Sequence, residues 1–123
     1  VVQESVLERE NGDDLAVYVV WEPIFRTDDE RAARKASSLL TDPRVAHFWV
    51  ETQAIGQLFQ PAIGLEDEVA WDVYLVYPPG IGWEDRIPPV PEVFMHQLRG
   101  RLPEAMLLDG PALAQAIDRV DFR

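Results

Sequence analysis

The chain has 123 residues, no cysteine, and 22 acidic against 11 basic side chains, a formal charge of −11. That length suits one domain, which at this size hides roughly 65–70% of its unfolded surface and needs no covalent staple. Missing thiols exclude disulfide frameworks, Cys-based zinc sites and thiol nucleophiles, and the acidic field repels phosphate backbones and anionic headgroups, so neither nucleic acid nor membrane is expected as a partner.

No run approaches the roughly 18–20 apolar residues of a membrane span, and the N-terminus lacks a signal-peptide layout, so a cytoplasmic location is expected. The opening words VVQESVLEREN predict a helix over Val1–Asn11, with Val2 and Val6 four apart and Asn11-Gly12 as its stop. Nothing caps its first N–H groups, which leaves two alternatives, a frayed boundary or an element upstream of Val1. Leu15–Trp21 is apolar on both parities and fits a central strand covered on both faces, closed by Pro23. Thr27 with Glu30 three later forms a capping box for a helix to about Leu40, whose buried stripe is Ala32, Ala36, Leu39 and Leu40. Thr41-Asp42-Pro43 stops it. Val45–Val50 is a short strand, and Glu51–Phe59 a weaker helix with Ile55, Leu58 and Phe59 on one side, ended by Pro61.

An acidic turn, Gly64–Glu68, leads into a second strong strand, Val69–Tyr77, which only Asp72 interrupts. PPGIGWEDRIPPVP follows, with five Pro and two Gly in 14 residues. It predicts a structured excursion with a cis X-Pro bond at Pro79 or Pro89. Val93–Leu98 is a last strand, and Asp109 caps a final helix with Pro111 in its first turn and Leu113, Ile117 and Val120 on its buried side. No repeat or linker divides residues 1–123, so the expected architecture is one α/β layer sandwich with a mixed sheet of about four strands.

Three words carry a resemblance: Val19-Val20-Trp21-Glu22-Pro23 followed by Thr27-Asp28, then Asp42-Pro43-Arg44-Val45 with Trp49, then Trp71-Asp72-Val73-Tyr74-Leu75-Val76-Tyr77. From about Val1 to Tyr77 the chain is similar to a set of uncharacterised bacterial thioredoxin-like sequences. The resemblance implies a thioredoxin-like sandwich in which the helix over Val1–Asn11 follows a first strand and a Cys-x-x-Cys turn, both falling before Val1. The family's redox residues therefore carry over to no residue here, and Ala70-Trp71 stands where thioredoxins place a cis-Pro. A sheet missing its usual first strand has an open edge that a second copy or another protein would fill, so a homo-oligomer or a protein partner is expected.

Chemistry-bearing residues are few. His47 and His96 lie inside apolar strands, where one could act as a general base oriented by Asp72 or Glu22, themselves lone polar residues in strands; the alternative is a hydrogen-bonded strand residue. Ser5, Ser37 and Ser38 sit in predicted helices with no nucleophile elbow. Glu66-Asp67-Glu68 lacks calcium-loop spacing, and Gly80-Ile81-Gly82 leads into Pro-rich chain rather than a helix, so neither metal nor nucleotide cofactor is expected. Trp49 at a strand end, Trp83 in the Pro excursion, and Arg99 and Arg101 around Gly100 are the candidate binding residues. The expected function is a non-catalytic, thioredoxin-like binding or protein-interaction domain; the alternatives are a small-molecule enzyme with a His–carboxylate site and an inactive remnant of a redox protein.

Overall fold

The computed structural model describes residues 2–8, 15–24, 28–66 and 68–121. Within them the elements are a π-helical turn at Val2–Leu7, β1 (Val17–Trp21), α1 (Glu30–Ser37), β2 (Val45–Trp49), α2 (Ala54–Leu58), α3 (Gln60–Ile63), β3 (Val73–Val76), β4 (Val93–His96), a 3₁₀ turn at Glu104–Met106, and α4 (Gly110–Asp121). Among the described residues the chain is α/β with four strands, as expected, but they form two pairs instead of one mixed sheet. β1 and β2 run parallel, from Val17 opposite Val45 to Trp21 opposite Trp49. β3 and β4 run antiparallel, with Val73 opposite His96 and Val76 opposite Val93.

The pairs stay separate because the chain ahead of β3 bonds to a helix. Ala70 N–H donates to the Gly56 carbonyl in α2 at 3.1 Å, and Asp72 enters the left-handed region at φ 50°. Both features interrupt the extended run expected over Val69–Tyr77 and shorten it to four residues.

The two pairs are covered differently. Successive strand residues face opposite sides, and both sides of β3–β4 are packed. Val73, Leu75 and Phe94 lie on a cluster of Ile63, Leu65, Ala70, Leu98 and Leu102, joined by Phe59 and Trp71. Tyr74, Val76 and Met95 lie on Val6, Leu113, Ala114 and Ile117, joined by Leu15. The strand buried on two sides is therefore the second apolar run, not the first. In β1, Val17, Val19 and Trp21 are half-buried while Tyr18 and Val20 are exposed.

α4 forms as its sequence dictates: Asp109 Oδ1 accepts from Ala112 N–H at 2.9 Å, and Leu113, Ile117 and Val120 are all buried. Elsewhere local details differ. The helix expected over Val1–Asn11 is, among the described residues, a π-helical turn that buries Val6 and Leu7; its stop at Asn11-Gly12 lies outside them. α1 is capped by Asp29, whose Oδ1 accepts from Ala32 N–H at 2.7 Å; Thr27 lies outside the described residues. A start set by Asp29 turns Ala33 inward, whereas Ala32 and Leu39 are exposed. Pro61 does not end a helix but occupies the first turn of α3, where its missing N–H is no loss. Of the acidic turn, Leu65 is buried and Asp67 lies outside the described residues. All described peptide bonds are trans, Pro79 and Pro89 included. The excursion closes through Ile87 N–H on Glu84 O at 2.9 Å and Tyr77 Oη–H on Pro89 O at 2.9 Å, which a trans backbone satisfies.

Two junctions tie the halves together. Arg44 donates from Nη2 to the Leu7 carbonyl at 2.7 Å and grips Asp42 through Nε at 2.9 Å and Nη2 at 2.8 Å. Gly56 is the second, and it has no space for a side chain: a Cβ there would lie 2.4 Å from Val69 Cγ1, 2.6 Å from Ala70 O and 2.7 Å from Glu22 Oε2. Gly56→Ala is expected to destabilise the protein by about 3 kcal/mol, because backbone must move to admit the methyl, and denaturant unfolding measures it. The hydrogen bonds and charge of Arg44 hold the Asp42 carboxyl at about 2, against an ordinary 3.8. The pair therefore contributes its full stabilisation above that ordinary value and loses it as pH falls toward 2. Asp42→Asn should flatten that acid limb in urea midpoints taken at several pH values.

Candidate functional site

Trp21 and His47 lie on the same side of the parallel pair, with rings stacked at 6.0 Å between centroids and 17° between planes. Trp21 Nε1–H donates to His47 Nδ1 at 3.1 Å, and indole nitrogen only donates. His47 Nδ1 is therefore the bare nitrogen, and Nε2 carries the proton that it gives to the Leu40 carbonyl at 2.9 Å. This ring fastens the start of the α1–β2 connection, just past α1, to the strand pair.

His96 repeats the arrangement in the other half. Leu98 N–H donates to Nδ1 at 2.9 Å, and Nε2 donates to the Pro103 carbonyl at 2.8 Å. Its side chain is 0% exposed, and its own carbonyl accepts from Leu108 N–H at 2.8 Å. One residue thus organises the chain from Leu98 to Leu108 against β4.

The carboxylates meant to orient these rings are elsewhere. Glu22 Oε1 accepts from Gly56 N–H at 2.6 Å, and burial pushes its carboxyl up, opposed by backbone hydrogen bonds from Gly56 and Ile55. Asp72 is exposed at the entry to β3 and offers its carbonyl to Gln97 N–H at 3.0 Å. Neither is hydrogen-bonded to either histidine, so the structure does not bring the four candidates together. The described residues hold no group of three or more His, Asp or Glu placed for a metal ion.

Among the binding candidates, Trp49 is half-buried opposite Trp21. Trp83 is 51% exposed, yet its ring meets Phe59 edge-on at 5.5 Å and 78°, so half of it fastens the excursion to the core and half faces water. Arg99 pairs with Glu104 at 3.5 Å and Arg101 with Glu68 at 3.1 Å, which spends the local basic cluster on the molecule's own carboxylates. Such exposed pairs are worth about 0–1 kcal/mol.

The sequence left one surface undetected. Tyr18 is 70%, Phe48 49% and Val20 41% exposed, and the Tyr18 and Phe48 rings stack at 6.3 Å and 28°. They share the side of β1–β2 opposite His47. Apolar residues on both parities signalled two covered sides, and only the structure shows one of them bare. No family model, curated protein or solved structure matches the chain.

Since His96 supplies two hydrogen bonds and fills buried space, His96→Ala is expected to lose about 3 kcal/mol in denaturant unfolding. A variant as stable as the parent would show that the ring does not hold the Leu98–Leu108 segment.

Proposed function

We propose that the chain is a non-catalytic binding domain of the thioredoxin-like type that associates through the bare side of β1–β2, first of all with a second copy of itself. The observation that carries this reading is Tyr18 and Phe48, stacked together and facing water beside Val20. Parallel strands are normally covered on both faces, and an aromatic and β-branched surface of this kind gains more from an apolar partner than from solvent. A parallel strand–helix–strand unit followed by an antiparallel pair and a helix supports the thioredoxin-like part. Against an enzyme stands the state of the histidines: each has both ring nitrogens occupied by structural partners, and neither has a carboxylate to orient it.

Light scattering and sedimentation of the parent and of Tyr18→Ser/Phe48→Ser test the proposal. Expected is a parent heavier than its 14.0 kDa chain and a folded variant at monomer mass, with circular dichroism confirming the fold. A parent that stays monomeric at its highest soluble concentration removes the second copy as partner, and a variant that still associates removes this surface.

A further inference from the structure

Resting on the self-association proposed above, we infer that the second copy is held through the outer edge of β1, so that the two parallel pairs join into one continuous sheet about a two-fold axis. Backbone groups alternate between edges along a strand as side chains alternate between faces. Val17 N–H donates to the Arg44 carbonyl and the Trp21 carbonyl accepts from Val50 N–H, both at 3.0 Å, so Val17, Val19 and Trp21 turn their backbone toward β2. Tyr18 and Val20 turn theirs away, and among the described residues no backbone partner lies on that edge. Across the strands only Tyr18, Val20 and Phe48 are exposed, and Phe48 directs its backbone to β1. The outward groups of β2 belong to the half-buried His47 and Trp49, and on β4 the His96 carbonyl already takes Leu108 N–H at 2.8 Å. β1 is thus the strand whose unpaired backbone lies on exposed residues. It also lacks the usual safeguards of an edge, since VYVVW holds no charge, proline or glycine.

The edge is complementary to itself. A two-fold axis through Val19, perpendicular to the sheet, runs β1 antiparallel to the same strand of the second copy and keeps both bare sides on one face. Tyr18 of each copy then lies opposite Val20 of the other, and the two residues exchange both backbone hydrogen bonds, which satisfies every outward group of β1. The same register sets each Tyr18 ring beside a β-branched side chain, a favourable cross-strand pair. Charge also selects this contact. Each copy carries −11, and like charges placed opposite one another oppose pairing. Here Trp21 falls opposite Val17 and Glu22 opposite Ala16, so no two carboxylates meet, and Glu22 is itself engaged with Gly56 N–H at 2.6 Å.

Val20→Pro tests the edge, because it removes the outward N–H of Val20 and leaves the Tyr18–Phe48 stack and the bonds to β2 in place. Self-association measured by sedimentation should weaken at least about tenfold against the parent, with circular dichroism showing the parent fold. In the parent, hydrogen exchange supplies a second measurement. The Tyr18 and Val20 amides should be protected at associating concentrations and exchange freely on dilution, while the Val19 and Trp21 amides stay protected at both. Undiminished association of the folded variant, or Tyr18 and Val20 amides that exchange freely in the associated parent, overturns the edge contact and leaves association through the bare side standing. A parent that never associates overturns both. Should Val20→Pro fail to fold, the amide pattern of the parent decides alone.

Discussion

Gly56 must be glycine for the two halves to meet. Val69, Ala70 and Glu22 all approach it within the space a methyl group would occupy, and both polar ends of the residue are used, the N–H by Glu22 and the carbonyl by Ala70. The rest of the arrangement follows. Because Ala70 is bonded to α2, the chain cannot extend β3 backward to meet β1, and the four strands settle into two pairs. α3 and the turn after it then lie beside β3, which puts Ile63 and Leu65 into the cluster under Val73 and Leu75.

That division distributes apolar burial unevenly. β3–β4 is enclosed by one cluster beneath and by α4 with the N-terminal turn above, the arrangement expected of the most stable part of a small domain. β1–β2 has α1 and the Leu40 carbonyl over its His47 side and nothing over Tyr18 and Phe48 among the described residues. The uncovered aromatic surface and the enclosed sheet are two results of one constraint, and the function proposed for the chain lies on the less enclosed of the two.

Much of this was legible where local rules and burial agree. α4 has its cap at Asp109 and its stripe at Leu113, Ile117 and Val120, and both period and cap are properties of the local sequence. What was not legible depends on chain distant in sequence. A run apolar on both parities shows that burial is possible on both sides, not that anything arrives to cover them, and so the side of β1 that carries Tyr18 is bare instead of covered. The cap of α1 is a local exception: Asp29 caps it, and Ala33 rather than Ala32 is its buried position. The grip of Glu22 on Gly56 spans 34 positions and has no local signature beyond a lone polar residue at the end of an apolar run.

The two histidines are held alike, each accepting an N–H at Nδ1 and donating from Nε2 to a carbonyl seven residues away. A ring that must both accept and donate across its own width is hard to replace: Phe does neither, Asn is too short to span the gap, and a lysine brings only donors. Selection on folding alone would therefore preserve His96, and in any set of relatives an invariant histidine at this position would report architecture where chemistry is the customary inference.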